Sequence, residues 1–230
     1  LKLVHVQEIA MSKVFIIGAA GNIGRRLVSQ LAERGHQPVG LHRHSEQAEQ
    51  LKNLGATTVQ GDLTALSAGD FAALMRGCDS VIFTAGAGGK GGKETTNAID
   101  GKGLELAVAA AAQAGVTRFL LVSAFPEAGR GKTGSDTFEN YMAVKKQADV
   151  HLAASDLDWV ILRPGTLVDD AGSGKVTAGL AIPYGNVARD NVAAALVTLV
   201  EQPQVTHRII ELTDGTTPVE QAIARLGGKA

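Results

Sequence analysis

Short runs of consecutive apolar residues alternate with longer stretches in which apolar positions recur at helical spacing, along nearly the whole chain. The short runs predict strands at Lys13–Ile17, Pro38–His42, Thr57–Gln60, Ser80–Thr84, Arg118–Ser123 and Trp159–Arg163. The longer patterns predict helices near Gly24–Arg34, Glu46–Leu54, Asp70–Arg76, Thr95–Ala114 and Phe138–Ala154. At the first helix Ile23, Leu27 and Leu31 recur every four residues and mark one buried face. The strands are continuously apolar rather than alternating, as when helices cover both faces of a sheet. Such an order implies right-handed crossovers and an α/β fold built on a doubly wound parallel sheet.

After Arg163 the pattern loosens, with Gly172, Gly174, Gly179, Pro183 and Gly185 punctuating short segments. A helix at Arg189–Glu201, a strand near His207–Leu212 and a helix at Val219–Leu226 follow. No linker divides the chain, so residues 11–230 are expected to form one domain. Its substrate side would lie at about 164–188 and 213–230, a small C-terminal extension of the main sheet. Residues 1–10 precede Met11 and read as an upstream leader or cloning remnant. Lys13 and the apolar run after it imitate a short signal sequence, but the run passes directly into a glycine turn and an amphipathic helix.

Composition narrows the partners. Lys and Arg number 22 against 23 Asp and Glu, so no basic excess exists to condense on nucleic acid or anionic lipid. No apolar run approaches the roughly 18 residues of a membrane span. A small-molecule substrate is the expected partner, and the oligomeric state is not legible. Cys78 is the sole cysteine, which excludes an intrachain disulfide and points to a reducing, cytoplasmic compartment. Glycine is frequent, at 28 residues, while aromatics are only 4%. That combination favours turns whose backbone approaches a ligand.

The most informative turn is Gly18-Ala19-Ala20-Gly21-Asn22-Ile23-Gly24, directly after the first strand and opening a helix. Glycines there permit a tight bend and close approach of a pyrophosphate, and the helix N-terminus offers free amides and a partial positive charge. The last glycine lets helix and strand pack closely. The turn predicts a Rossmann-type dinucleotide site; the plainer reading is a glycine-rich strand-to-helix turn with no ligand. A carboxylate closing the second strand would hold an adenosine ribose 2′-hydroxyl; here the residues are Leu41-His42-Arg43-His44-Ser45. Arg43 can instead bond a 2′-phosphate, which favours NADP(H) over NAD(H), although it also serves as a solvated loop residue. His42 and His44 share a strand face but lack further metal ligands, so no metal is expected. Gly131-Lys132-Thr133 resembles the end of a P-loop, yet Pro126 stands where its first glycine belongs.

Tyr141 and Lys145 lie four apart, on one helical face. A nearby ammonium would lower the phenol pKa from about 10 and make proton exchange with a carbonyl feasible near neutrality. Ser123, closing the preceding strand, could bond the substrate oxygen. Each also has a plain role, Tyr141 as a packed aromatic and Ser123 as a strand end.

In sequence order, Gly18-x-x-Gly21-x-x-Gly24, Gly61-Asp62-Leu63, Val122-Ser123, Tyr141-x-x-x-Lys145 and Arg163-Pro164-Gly165 resemble the atypical short-chain dehydrogenases/reductases. The similarity is greatest to their NmrA-like, NAD(P)-binding branch and runs from Ser12 to Leu226, including Arg189-Asp190-Asn191-Val192-Ala193. The resemblance implies that Asp62 and Leu63 flank the adenine, that Thr84, Ala85 and Gly86 line the cofactor, and that Pro164 lies near the nicotinamide. It also implies a catalytic trio of Ser123, Tyr141 and Lys145, the lysine also reaching the nicotinamide ribose. Asp62 serves equally as a turn or capping residue, and Pro164 keeps Arg163 extended. The loop from Ala85 to Lys93 is richer in glycine than the family pattern and should be mobile unless a ligand orders it. The short region after Pro164 leaves little material for a sugar-nucleotide domain. The resulting expectation is an NADP(H)-dependent oxidoreductase acting on a small carbonyl or quinone-like substrate. A redox sensor that binds NADP(H) without catalysis, or an epimerase/dehydratase, are the alternatives.

Overall fold

The computed structural model describes residues 10–88, 91–129 and 134–228. Residues 1–9, Gly89 and Lys90 of the glycine loop, and the Gly131-Lys132-Thr133 run therefore lie outside the described residues.

Six strands, β1 (Lys13–Ile17), β2 (Gln37–His42), β3 (Thr57–Gln60), β4 (Ser80–Phe83), β5 (Arg118–Val122) and β6 (Asp158–Pro164), pair in parallel in the order β3-β2-β1-β4-β5-β6. The pleat explains why they read as continuous apolar runs. Val14 and Ile16 of β1 point into one layer with Ile82, Leu120 and Leu162. Phe15 and Ile17 point into the other with Phe83, Phe119 and Ile161. Burying each such side chain stabilises the fold by about 1.5–3 kcal/mol.

The first layer is closed by α1 (Asn22–Glu33), whose Ile23, Leu27, Val28 and Leu31 are buried, and by α2 (Glu46–Asn53) through Leu51. The second is closed by α3 (Ala68–Met75) through Phe71, Ala72 and Met75. Ser67 caps α3 by accepting from the Asp70 amide at 3.2 Å.

The long helix expected over Thr95–Ala114 is three pieces: α4 (Gly92–Thr96), a π-helical turn (Asn97–Lys102) and α5 (Gly103–Ala114). α6 (Asp136–Ala153) begins two residues before its expected start, with Ser135 accepting from the Phe138 amide at 3.2 Å.

The C-terminal part departs most from expectation. The glycine-punctuated stretch contains β7 (Thr166–Val168), β8 (Lys175–Gly179) and β9 (Asn186–Ala188). β7 and β9 form a separate parallel pair. After α7 (Arg189–Glu201), β10 (Arg208–Asp214) extends the main sheet parallel to β6, whereas β8 joins it antiparallel. β11 (Thr217–Pro218) pairs antiparallel with β8, and α8 (Val219–Ala224) buries Val219, Ala222 and Ile223 against the first layer. The nine-stranded sheet is thus mixed at its C-terminal edge rather than wholly parallel. β7, β8 and β9 lie in a stretch broken by Gly172, Gly174, Gly179, Pro183 and Gly185, which masks any local strand pattern.

Candidate functional site

Between β1 and β4 the strand order reverses direction, and such a crevice at the carboxyl ends of parallel strands is where α/β folds bind ligands. A cleft of about 1080 Å³ opens there. It is lined by Gly18, Ala20, Gly21, Asn22 and Ile23 at one end and by Ser123, Tyr141, Lys145 and Pro164 at the other. Arg43, Asp62, Leu63, Thr84, Ala85 and Gly86 line it too. Every cofactor or catalytic candidate read from the sequence therefore lines this one cleft, except Gly24.

Gly24 has a packing role instead. A Cβ there would overlap the Gly18 carbonyl oxygen and come within 2.7 Å of the Ala19 Cα. Gly18 has φ of +89°, and its Cβ would lie 2.5 Å from the Ala85 amide nitrogen. The Gly21 amide donates to the Gly18 carbonyl at 2.9 Å, and the Arg25 amide takes the Gly21 carbonyl at 3.0 Å. The amides of Asn22, Ile23 and Gly24 are left without helical partners. No side chain caps α1 and its first turn holds no acid. A close-approach backbone surface with unpaired donors and no competing carboxylate fits a diphosphate.

At the end of β2, Arg43 is exposed and its Nε donates to His44 Nε2 at 2.9 Å. Asp62 accepts at Oδ1 from the Thr64 amide at 2.9 Å and from the Thr64 hydroxyl at 2.7 Å. These bonds hold its carboxyl below the usual carboxylate range, with lesser help from Arg43 and His44. Asp62 is thus both a turn residue and part of the cleft wall. Among the described residues no group of three or more His, Cys, Asp or Glu could hold a metal.

The far end is built from charges the sequence reading did not anticipate. Lys145 is buried on α6 and donates from Nζ to the Val122 carbonyl at 2.8 Å. Its counter-ion is Asp100, 2% exposed on the π-helical turn, with Oδ1 3.5 Å from Nζ. Asp100 also accepts at Oδ2 from the Ala87 amide at 3.0 Å, which ties the start of the glycine loop to the site. One turn further along α6, Asp149 accepts from Arg163 Nε at 3.0 Å and Nη2 at 2.8 Å.

The expected lowering of the Tyr141 pKa is therefore reversed. Burial, then the charges of Asp100 and Asp149, push the phenol up to about 12. The ammonium of Lys145 is paired with Asp100, and the charges of Asp100 and Asp149 add to the effect of burial, so the surroundings do not favour phenolate. Burial also pulls the Lys145 pKa down, against the two carboxylates. Ser123 is 5% exposed, its amide donates to the Leu162 carbonyl at 2.7 Å, and among the described residues its Oγ has no hydrogen-bond partner. A buried hydroxyl with no partner on a cleft wall is a donor awaiting an acceptor.

Sequence reasoning missed Asp100, Thr96, Ile99, Phe138, Leu167 and Arg189, all of which line the cleft. Asp100-Gly101 was a usable signal. Two poor helix formers inside an apolar helical pattern mark a local break, and π-helical turns gather at functional sites.

The NAD(P)H-binding family model matches residues 18–203, the stretch that carries all of the cleft's lining but Ile17. The chain belongs to that family. It is 38% identical to the uncharacterized sugar epimerase YhfK of Bacillus subtilis, over 93% of this chain and 100% of the relative. It is 31% identical to the UPF0659 protein YMR090W of Saccharomyces cerevisiae, over 93% of this chain and 98% of that one. Among solved structures, a Bacillus halodurans protein provisionally named an NAD-dependent epimerase/dehydratase superposes with a TM-score of 0.85 at 31% identity, covering 94% of this chain and 100% of that one. The oxidoreductase ylbE of Lactococcus lactis gives 0.82 at 27% identity, covering 93% and 96%. The family thus embraces proteins named as epimerases and as oxidoreductases. Among the described residues, no helix is long and apolar enough to cross a membrane.

Proposed function

We propose that this protein is an NADPH-dependent oxidoreductase that reduces a small carbonyl or quinone-like substrate. The observation that carries the reading is the unpartnered Ser123 Oγ, buried on the same cleft wall as Tyr141 and Lys145. When bound, the nicotinamide supplies a hydride to the substrate carbon. Tyr141 keeps its proton throughout the physiological range and donates it to the substrate oxygen as charge develops there. The product is an alcohol from a carbonyl or a hydroquinone from a quinone, and the phenolate is reprotonated from water. Ser123 Oγ donates a hydrogen bond to the same oxygen. Lys145, on the helix of Tyr141 and bonded to the residue before Ser123, holds acid and donor in fixed relation. Two of its three N–H bonds face Val122 and Asp100, and the third is available to a ribose hydroxyl.

Preference for NADPH rests on Arg43 closing β2 where no carboxylate stands. The lone thiol of Cys78 supports a reducing, cytoplasmic setting. Titration with NADPH and NADH, followed by a carbonyl and quinone panel, tests the reading. NADPH should bind at least about tenfold tighter, a difference that Arg43→Ala abolishes. Tyr141→Phe should lower kcat by about 10²–10⁴. Equal affinity for the two nucleotides would overturn the NADPH assignment, and unchanged turnover by Tyr141→Phe would overturn the acid.

The names of the Bacillus relatives favour a second reading, epimerisation or dehydration with a recycled cofactor. Cofactor that copurifies and is not consumed with any acceptor would decide for it.

A further inference from the structure

Arg189 opens α7, and its side chain, 19% exposed, lines the cleft. Among the described residues its one charged partner is Asp169, with Nη1 2.9 Å from Oδ1. The same oxygen lies 3.4 Å from Arg26 Nη2. Arg26 in turn donates from Nη1 to the carbonyl of Asn22, the first residue of α1, at 2.9 Å, and from Nε to Asp190 at 2.8 Å. The start of α7 is therefore tied through Asp169 and Arg26 to the start of α1, and the guanidinium of Arg189 lines the same cleft as the turn whose amides lack helical partners.

We propose that Arg189 is a diphosphate clamp, the side-chain counterpart of the backbone cradle at α1. The inference rests on the reading that this cradle seats a dinucleotide. Asp169 is 67% exposed, and an ion pair so open to water is among the weakest of charged contacts. A planar guanidinium bonded to phosphate oxygens is among the strongest. Arg189 can turn to the diphosphate at little cost, because Arg26 remains beside Asp169 and no charge is left alone. An anionic group on the substrate offers the same chemistry, but the link through Arg26 to Asn22 favours the nucleotide.

The test is calorimetric titration of wild type, Arg189→Gln, Arg189→Lys and Asp169→Asn with NADPH, NADH and 2′-AMP. The last ligand carries the adenosine end without the diphosphate bridge. Arg189→Gln should weaken NADPH and NADH by the same factor, about tenfold or more, and leave 2′-AMP within twofold. Arg189→Lys, which keeps the charge and loses the fork, should fall between. Asp169→Asn should tighten both dinucleotides, since it removes the competing carboxylate. Dinucleotide affinity unchanged by both Arg189 variants overturns the clamp, and a change confined to substrate KM assigns the arginine to the substrate. Equal loss for 2′-AMP overturns it as well, since the defect is then general. Should Arg189→Gln fail to fold, the Arg189→Lys and Asp169→Asn titrations decide alone. Wild type that binds no dinucleotide would instead refute the cradle reading itself.

Discussion

The two ends of the cleft are built by different means. At the cradle the backbone acts: Gly18 and Gly21 line the surface, Gly24 lets α1 pack close against the turn, and the side chains matter chiefly by their absence. At the far end buried side chains act, with Lys145, Asp100, Asp149 and Arg163 in opposed pairs around Tyr141 and Ser123. The first arrangement arises within seven consecutive residues. The second draws on α6, the π-helical turn, β5 and β6, so it exists only when the sheet and both its flanking helices are in place. Substitutions should therefore behave differently at the two ends.

The largest effect is expected at the cradle. Gly18→Val places a branched side chain at positive φ and against the backbone of Thr84 and Ala85. It should cost about 4 kcal/mol or more and abolish dinucleotide binding, as read by thermal unfolding and titration. A variant of native stability would show that the turn is pliable.

At the far end, Asp100→Leu leaves the Lys145 ammonium buried without its counter-ion, at a cost of about 3–5 kcal/mol. Asp100→Leu combined with Lys145→Met should regain most of that loss in denaturant unfolding while remaining inactive. Additive losses in the double variant would break the view that the two act as a pair.

Tyr141 sharpens the comparison through pH. Its proton is held to about 12 in the folded chain, against about 10 in an unfolded one. The folded state binds that proton more tightly, so the stabilisation is complete below about pH 10 and is lost as pH rises towards 12. The loss should amount to about 2–3 kcal/mol, and Tyr141→Phe should lack this share of the alkaline decline in denaturant unfolding between pH 9 and 12.

The smallest effect distinguishes function from stability. Ser123→Ala removes a buried hydroxyl that has no partner, so stability should hold or rise by about 1 kcal/mol. Turnover should nonetheless fall about tenfold or more, because the proposed mechanism gives this hydroxyl to the substrate oxygen. A destabilised variant with unchanged kcat would reverse the assignment.

The parallel core, the layers on its two faces and the diphosphate cradle were legible along the chain because each rests on local period or on consecutive residues. Continuous apolar strands such as Val14–Ile17 announce burial on both faces, and a glycine turn after the first of them carries its own geometry. Ser123, Tyr141 and Lys145 were legible as candidates through their order and the resemblance it carries. Their protonation was not. The direction of the Tyr141 shift depends on Asp100 and Asp149, one of them 41 positions away, and no spacing rule reports the sum of charges around a buried phenol. The edge strands β7, β8 and β9 were equally hidden, since such short segments acquire their conformation from partners elsewhere in the chain. Local chemistry determined where a ligand can sit; long-range pairing decided the electrostatic state of the groups that meet it, because charge acts through space and not along the chain.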